Sequence, residues 1–230
     1  MSTFSSSASR SARAARDAGA ALSRASRRAV MAAAVALGAT LLAGMPAEAA
    51  PAVGQKAPDF VAVDTRGNAH KLSDFAGRFV VLEWTNPGCP FVRKHYGSGN
   101  MPATQKTAAA LGAVWLSVNS TERGASDYLP PAALDGWMQQ QAAAPTAVLM
   151  DETGMIGKAY GARTTPHLFI IDPKGVLVYA GGIDSIPSAR PDDIKGATNY
   201  VKQALSEVFG GKPVSMAATK AYGCSIKYKS

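Results

Sequence analysis

The sequence predicts an α/β fold with a mostly parallel central sheet, and three observations carry this prediction. Residues 79–84 and 113–119 are nearly continuous apolar runs, which is typical of strands that are buried on both faces. Segments of helical pattern alternate with these runs, as in parallel strands joined by crossover helices. Residues 167–172 and 176–180 are two further apolar runs, and the Asp172-Pro173-Lys174-Gly175 turn between them predicts an antiparallel hairpin at the sheet edge.

The first elements predicted are a β-hairpin and a helical turn. Residues 60–63 and 69–72 flank the turn Asp64-Thr65-Arg66-Gly67-Asn68, whose Asp, Gly and Asn favour reversal of the chain. Residues 73–77 form the helical turn, and the central strand covers residues 79–85. The chain therefore places a hairpin ahead of its first buried strand.

A broken helix is predicted after Cys89. Two glycines flank Ser98 near residues 97–100, and the helical pattern resumes at 102–111. After the strand at 113–119, the elements predicted in chain order are a helix at 130–141, a strand at 146–150 and a short helix at 154–160. The two prolines that open the first of these suit a first helical turn.

A last helix is predicted over residues 191–209. Apolar residues recur there at near-helical spacing: Ile194, Val201, Leu205 and Val208. From Gly210 onward the tail has no convincing periodicity, so no secondary structure is predicted for it.

A thiol at the start of a helix is the feature around which these elements are arranged. The turn Asn86-Pro87-Gly88 follows the central strand, and Cys89 comes next, followed by Pro90, which suits the first helical position because it lacks an N–H. Unpaired N–H groups and the positive end of the helix dipole favour a thiolate at this place. Residues 93–95 are Arg, Lys and His, which place positive charge within the first two helical turns, as suits a nearby thiolate. His95, six residues after Cys89, is expected to be a surface or packing residue, and its alternative role is a proton donor or base.

Residues 1–49 are predicted to be an export signal that is removed. Residues 1–28 are rich in Ser, Ala and Arg, residues 29–45 form a mildly apolar run, and an Ala-x-Ala cleavage site ends at Ala49. Ser26-Arg27-Arg28, directly before the apolar run, is typical of the twin-arginine route. The alternatives are a mitochondrial transit peptide and a retained anchor, although about 17 small residues barely span a bilayer. We therefore expect a bacterial periplasmic or exported protein with no stable membrane insertion after processing.

The charge of the processed chain gives no reason to expect nucleic-acid binding. The full chain has 230 residues and a net charge of +8, but residues 1–49 hold six arginines and two acids, which leaves 18 basic and 14 acidic side chains. No basic run remains among them. About 180 residues suffice for a full core, so no disulfide is needed for folding alone. Cys89 and Cys224 both remain, and in an oxidising compartment they can pair.

The order of these elements resembles the thioredoxin fold, in the branch of redoxins that holds peroxiredoxin-like and exported thiol-disulfide proteins. The resemblance covers residues 52–209, and its most specific part, Cys89-Pro90-Phe91-Val92-Arg93-Lys94-His95-Tyr96, is similar to the peroxiredoxin-like (AhpC/TSA-like) subgroup with a single active-site Cys. It implies a thioredoxin-like fold in which a central mixed sheet is flanked by helices and extended by an N-terminal β-hairpin. It also implies a redoxin domain at 50–209 and a C-terminal tail at 210–230 that carries Cys224.

The resemblance assigns roles to residues in two places. Cys89 takes the position of the first active-site Cys of thioredoxins, and Val92 stands where the second would be, so an internal CxxC disulfide cannot form. Thr165-Pro166 resembles the cis-Pro segment that faces the reactive Cys, although only about 5–6% of X-Pro bonds in folded proteins are cis. We expect the backbone of Thr165 to bind an extended thiol substrate and Pro166 to keep the Cys surface open.

The peroxide-binding pattern of peroxiredoxins is degraded in this chain. Asn86 stands three residues before Cys89, where those proteins have Thr, and Thr85 stands one place further back. Leu82 stands seven residues before Cys89, where they have Pro. Arg163 either supplies the positive partner that polarises a peroxide O–O bond or is a solvated loop cation. Thr85, Asn86 and Arg163 are therefore candidate catalytic residues.

Cys224 has two interpretations. As a resolving Cys, it attacks a sulfenic acid or a mixed disulfide on Cys89, and a Gly-flanked tail can carry it there. As a permanent staple to Cys89, it closes a loop of about 135 residues and stabilises the fold by about 3–5 kcal/mol. We favour the redox role, because a staple would consume the thiol best placed for chemistry.

We therefore expect an exported thiol-dependent oxidoreductase of the peroxiredoxin-like type, with Cys89 as the peroxidatic thiolate and Cys224 as its possible resolving partner. Its partners would be a peroxide, or a protein or small-molecule disulfide, together with an external thiol reductant. No cofactor is expected and no metal, since copper chaperones of this fold use a Cys pair that is missing here. The alternatives are a thiol-disulfide exchange protein of the same fold and a non-catalytic binding module with a structural Cys89–Cys224 disulfide.

Overall fold

The structure, a computed structural model, describes residues 50–229. The export signal predicted for residues 1–49 lies outside the described residues and stays a prediction. Within 50–229, no helix has the length and apolar character that crossing a bilayer requires.

The described chain forms short strands and helices in the predicted order. The strands are β1 Val61–Asp64, β2 Ala69–Lys71, β3 Val80–Trp84, β4 Val114–Asn119, β5 Ala147–Met150, β6 Thr164–Thr165, β7 His167–Ile171, β8 Leu177–Gly181 and β9 Cys224–Ser225. The α-helices are α1 Pro90–Gly97, α2 Asn100–Ala110, α3 Pro131–Gln140, α4 Met155–Tyr160 and α5 Tyr200–Phe209, and 3-10 turns cover Leu72–Phe75 and Pro191–Gly196.

Seven strands form one mixed sheet in the order β2-β1-β5-β4-β3-β7-β8. The strands β3, β4 and β5 run parallel, and the hairpins β1-β2 and β7-β8 add antiparallel strands on both sides of them. The central mixed sheet and the N-terminal hairpin extension are therefore confirmed. The expectation of a mostly parallel core with one antiparallel edge is too simple, because the first hairpin joins the edge opposite the last one.

Both faces of the sheet are covered, which explains the continuous apolar runs. On one face, Val81 and Trp115 pack against α1, α2, α3 and α5. On the other face, Leu82 and Trp84 pack against α4 and the first 3-10 turn. Each position of β3 and β4 is therefore buried, whichever way its side chain points.

The helix predicted over residues 191–209 is wrong in its first half. The 3-10 turn Pro191–Gly196 is followed by extended backbone at Ala197, and α5 begins only at Tyr200. The side chain of Asn199 accepts the N–H of Lys202, so it caps the helix at this later start. The apolar spacing does not mark this boundary, and the asparagine cap sets where the α-helix begins.

The tail, for which no structure was predicted, lies along the domain as far as residue 229. Backbone hydrogen bonds join Thr219 to Ala180 and β9 to β6, where Thr165 pairs with Cys224. Near the end of the tail, the hydroxyl of Tyr228 donates to the carbonyl of Ala162 at 2.7 Å. These contacts join residues far apart in the chain, so local periodicity carried no signal for them.

Candidate active site

Cys89 is the N-cap residue of α1, directly after the carboxyl end of β3. The turn that presents it is shaped by Asn86, whose side-chain Oδ1 accepts the backbone N–H of Gly88 at 2.7 Å and whose carbonyl accepts the N–H of Cys89 at 3.0 Å. The thiol is 2% exposed. The predicted strand, turn and helix start are confirmed, and they hold the sulfur beneath the molecular surface.

Three of the predicted site residues, Cys89, Cys224 and Thr165, meet at this sulfur. The Sγ atoms of Cys89 and Cys224 lie 2.7 Å apart as two free thiols, and Cys89 Sγ donates to the carbonyl of Thr165 at 3.1 Å. The Thr165-Pro166 peptide bond is cis. Cys224 stands opposite Thr165 in the antiparallel β6-β9 pair. A disulfide has an S–S distance of about 2.05 Å, so the two sulfurs need to approach only slightly to bond.

The two thiols differ in acidity. Burial acts to raise the pKa of Cys89, but hydrogen bonds with the Cys224 thiol, the Thr165 side chain and the N–H groups of Val92 and Cys224 outweigh it, and the pKa is lowered. Burial, followed by the hydrogen bond and charge of Cys89 and by the charge of Asp127, raises the pKa of Cys224 to about 12. In this pair the thiolate form is therefore favoured at Cys89 and the protonated thiol at Cys224.

Thr85 and Asn86 are both buried beside the turn. Asn86 donates from Nδ2 to Thr121 Oγ1 at 2.9 Å and to Asp127 Oδ2 at 3.1 Å, so its side chain is committed to the turn and its neighbours. Thr85 is different, because its hydroxyl is buried without a hydrogen-bond partner among the described residues. The contacts of Asn86 hold the turn in place. Catalytic roles for Asn86 and Thr85 stay predictions.

Arg163 lies outside the hydrogen-bonded group at the sulfur. Its side chain is exposed, and its backbone carbonyl accepts the N–H of Ile226 at 3.1 Å. Its charge acts on His167, whose pKa is lowered to about 4 by burial and then by Arg163. A role for Arg163 in polarising a peroxide therefore stays a prediction.

Lys94 does not bring its positive charge to the thiolate as expected. Arg93 is exposed, whereas Lys94 and His95 are buried and face Asp184 and Tyr222 rather than the sulfur. The group of Lys94, His95 and Asp184, which binds Tyr222 of the tail, is called the tail pocket below. Sequence reasoning missed it because Asp184 and Tyr222 come from separate, distant segments, although a Lys-His pair early in a helix was a visible anomaly.

Two carboxylates near the turn were also missed. Glu83, fully buried in β3, accepts hydrogen bonds from a ring of donors: Tyr96 Oη, Trp115 Nε1, Ser117 Oγ and Gln105 Nε2. Burial raises its pKa against the effect of those donors. Asp127, from the loop after β4, packs closely on Gly88. A Cβ added to Gly88 would lie 2.7 Å from the Cβ of Asp127. An acidic residue inside an apolar strand was the available signal for Glu83, and none was available for Asp127.

Metal binding has no support among residues 50–229. No group of three or more His, Cys, Asp or Glu side chains in this range could hold a metal ion.

A comparison with protein-family models identifies the family of the chain. The model described as the AhpC/TSA family matches residues 53–180, which is more than half of the chain. The chain belongs to the AhpC/TSA family. The predicted membership of this family and the thioredoxin-like fold are thus confirmed.

The curated relatives of this family member are thiol-disulfide oxidoreductases. Thiol-disulfide oxidoreductase ResA of Geobacillus kaustophilus (strain HTA426) is 26% identical over 133 residues, covering 55% of this chain and 67% of that protein. ResA of Geobacillus thermodenitrificans (strain NG80-2) is 29% identical over 148 residues, covering 61% of this chain and 75% of that protein.

Solved structures extend the likeness over most of the described chain. A hypothetical protein from Sinorhizobium meliloti 1021 has a TM-score of 0.66 at 24% identity, covering 79% of this chain and 97% of that one. An uncharacterized conserved protein from Geobacillus kaustophilus has a TM-score of 0.64 at 26% identity, covering 81% of this chain and 98% of that one. Neither description states an activity, so these two structures support the fold.

Proposed function

We propose that the protein is a thiol-disulfide oxidoreductase in which Cys89 attacks and Cys224 resolves. The observation that carries the proposal is the 2.7 Å separation of the Cys89 and Cys224 sulfurs beside Thr165, whose backbone pairs with Cys224. The lowered pKa of Cys89 and the raised pKa of Cys224 support this order of attack. Cys224 would therefore be the second redox cysteine, because the position in α1 where thioredoxins have it is occupied by Val92.

The reaction moves two electrons from the two thiols to a disulfide. The thiolate of Cys89 attacks one sulfur of a substrate R–S–S–R′, an S–S bond to Cys89 forms, and R′–S⁻ leaves and takes a proton. Cys224 then loses its proton and attacks the Cys89 sulfur, which releases R–S⁻. The products are the Cys89–Cys224 disulfide and two thiols, and the reverse sequence oxidises a dithiol.

The relatives favour disulfide exchange over peroxide reduction, which reverses the order expected from the sequence. Both curated relatives described above carry the description thiol-disulfide oxidoreductase. The peroxide-binding pattern is degraded, and Asn86 holds its turn instead of facing an open site. Protein or small-molecule disulfides are therefore the proposed substrates, with an external thiol as reductant.

A peroxidase reaction is the second candidate, and the unpartnered hydroxyl of Thr85 favours it. In that case the Cys89 thiolate attacks a peroxide oxygen, which gives a sulfenic acid and releases an alcohol or water after protonation. Cys224 then condenses with the sulfenic acid and releases water, so the same disulfide forms. A permanent staple is the remaining alternative, and it predicts no turnover at all.

The location and domain boundaries are proposed on the sequence signals. Residues 1–49 act as a bacterial export signal, and the processed protein then works in an oxidising compartment outside the cytoplasm. Residues 50–209 form the redoxin domain, and the tail 210–230 supplies Cys224.

The test is to follow the Cys89 and Cys224 peptides by mass spectrometry after reduction with dithiothreitol. Oxidised glutathione should convert the two thiols to their disulfide, and Cys224→Ser should stop at a Cys89–glutathione mixed disulfide. Cys89→Ser should form no mixed disulfide on either residue at a comparable rate. A bond that resists dithiothreitol would establish the staple, and faster oxidation by hydrogen peroxide than by glutathione disulfide would establish the peroxidase.

A further inference from the structure

The tail contacts the active site as an added strand. Thr165 pairs with Cys224 and Thr164 with Ser225, while the N–H of Ile226 donates to the carbonyl of Arg163 at 3.1 Å. Addition of an extended segment to a free backbone edge is a common way in which proteins bind peptides. Here the segment that occupies the edge beside Cys89 belongs to the chain itself.

The approach of this strand is closer than any side chain would allow. Gly223 has a φ of +137°, and a Cβ at this position would overlap the carbonyl of Thr165. The glycine lets the tail backbone lie directly on Thr165, where the carbonyl also accepts the thiol of Cys89. While the tail is docked, a second extended chain cannot pair with the same residue.

Tyr222 holds the strand in the tail pocket. Its hydroxyl donates to Asp184 Oδ1 and lies 3.0 Å from Nε2 of His95. The side-chain amide of Asn100 donates to His95 Nδ1 at 2.9 Å, so Nε2 carries the ring proton and donates to Tyr222. The Lys94 ammonium lies 3.5 Å from Asp184 Oδ2 and 5.7 Å from the centre of the Tyr222 ring.

The pocket is joined rigidly to the nucleophile. Lys94 and His95 lie on α1, the helix that Cys89 caps, and the Phe91 ring of the same helix meets the Tyr222 ring edge to face at 5.8 Å. Docking of Tyr222 on α1 therefore sets the place of Cys224, two residues later, on the Cys89 sulfur.

The polar character of the pocket suits a latch that opens. Burying a Lys-Asp pair is costly, and an apolar pocket would hold a permanent strand equally well. When Tyr222 leaves, water reaches Lys94 and Asp184 and hydrates their charges, whereas an emptied apolar pocket would leave hydrophobic surface exposed. The chemistry of the pocket thus lowers the cost of releasing the tail.

We propose that residues 222–226 are a reversible latch: with Tyr222 bound in the tail pocket this strand occupies the Thr165 edge beside Cys89, and its release opens that edge to a substrate chain. The proposal rests on the proposed function and adds a regulatory role for the tail. Tyr222 is a positioning residue: latched, it speeds closure of the Cys89–Cys224 disulfide, and released, it frees the Thr165 edge for another chain.

The test uses a synthetic peptide with the sequence of residues 221–227, whose Cys carries 2-nitro-5-thiobenzoate as a mixed disulfide. The Cys89 thiolate of the reduced protein attacks the peptide sulfur, the bond to the nitrothiobenzoate breaks, and the coloured thiolate that leaves is measured. Closure is measured separately, as the rate at which Cys224 displaces glutathione from a Cys89–glutathione mixed disulfide. The small reagent 5,5′-dithiobis(2-nitrobenzoate) reports the reactivity of Cys89 without backbone pairing.

Two variants release the strand by independent means. Tyr222→Phe removes the hydroxyl that binds Asp184 and His95, and Gly223→Ala places a Cβ against the Thr165 carbonyl. In each, the peptide reaction should rise and ring closure should fall. For Tyr222→Phe we expect a change of about tenfold, the scale of a lost hydrogen bond to a charged partner. Tyr160→Phe is the matched control, since it removes a buried tyrosine hydroxyl that donates to the carbonyl of Pro58 and not to a residue of the tail pocket.

Opposite changes in the two rates separate a latch from general damage, which would move both rates together or alter the control as well. The proposal is overturned if both variants match Tyr160→Phe in the peptide reaction, or if closure keeps its wild-type rate. If Tyr222→Phe does not fold, Gly223→Ala alone decides. Failure of wild-type Cys89 to react with 5,5′-dithiobis(2-nitrobenzoate) would overturn the proposed function itself, and with it the latch.

Discussion

The backbone carbonyl of Thr165 accepts a hydrogen bond from the Sγ of Cys89 at 3.1 Å, although 76 residues separate them in the chain. Thr165 also pairs with Cys224 in the β6-β9 ladder, so the backbone of this one residue contacts both cysteines. This bond favours the protonated thiol of Cys89 and works against the donors that favour its thiolate. The acidity of Cys89 therefore depends on its remaining neighbours, above all Cys224.

Cys224→Ala is expected to raise the pKa of Cys89. The substitution removes a thiol whose hydrogen bond lowers this pKa, while the burial that raises it is only partly relieved. The measurement is the pH dependence of thiolate absorbance near 240 nm, or of the iodoacetamide alkylation rate. Cys224→Ser keeps a donor at the same place and should raise the pKa less. Equal pKa values in the Ala variant and the wild type would contradict this.

Asp127→Asn is expected to lower the pKa of Cys224 and to speed disulfide closure below that pKa. Burial and Cys89 are the larger causes of the raised value, but the negative charge of Asp127 adds to it. Lys227→Met provides a control of opposite sign, because the charge of Lys227 lowers the same pKa. Both effects should shrink in concentrated salt, since Lys227 is about half exposed. Changes of the same sign in the two variants would be incompatible with a charge effect.

Gly88→Ala is expected to destabilise the fold by about 1–3 kcal/mol, the usual cost of forcing an extra methyl group into a packed site. The new Cβ would lie 2.7 Å from the Cβ of Asp127 and would disturb the turn that presents Cys89. Gly136→Ala, in α3 with open space around its Cβ position, should instead be neutral or stabilising by up to about 1 kcal/mol. Urea unfolding of both variants tests the contrast, and equal stability would remove Asp127 as the reason for the glycine.

Thr85→Val separates the two candidate reactions. It replaces a buried hydroxyl that has no partner in the described chain by a methyl group of the same size, so stability should be unchanged or rise by about 1 kcal/mol. Disulfide exchange with oxidised glutathione should keep its wild-type rate. A large loss of hydrogen peroxide reactivity alone would show that the hydroxyl serves a peroxide and would support the peroxidase. A variant with both rates unchanged would leave disulfide exchange as the function.

Stability is expected to fall as the pH drops from about 6.5 to about 4. Burial lowers the pKa of His95 from 6.5 to about 4, with Lys94 acting in the same direction and Asp184 against it. Between pH 6.5 and about 4, His95 is protonated in the unfolded chain but stays neutral in the folded chain. The free energy of unfolding therefore decreases by roughly 3 kcal/mol across this range. His167, with a pKa lowered to about 4 by burial and Arg163, adds a loss of the same sign.

Urea unfolding at a series of pH values measures this loss. His95→Gln should flatten the slope by about one proton, and His167→Gln should do so independently. A slope between pH 6.5 and 4 that neither substitution changes would assign the acid sensitivity to other groups.

Most of the strands, turns and helices of the central sheet region could be predicted from local sequence. The apolar runs of β3 and β4, the Asp-Pro-Lys-Gly turn and the proline after Cys89 act on neighbouring residues, and the structure has these elements where they were predicted. The split of the last predicted helix shows the limit of such signals, because Pro191 and Asn199 both mark a helix start and only one begins an α-helix.

The site needed information that local signals do not carry. The sequence by itself determined that a thiol caps a helix at the carboxyl end of a buried strand, since β-rich runs, a turn and a proline are read within a few residues of one another. Only the tertiary structure decided that Cys224 meets this thiol on Thr165, that Lys94 pairs with Asp184 and that His95 hydrogen-bonds Tyr222. The physical reason is that each of these contacts joins segments dozens of residues apart, whose meeting depends on the packing of the whole sheet and its helices.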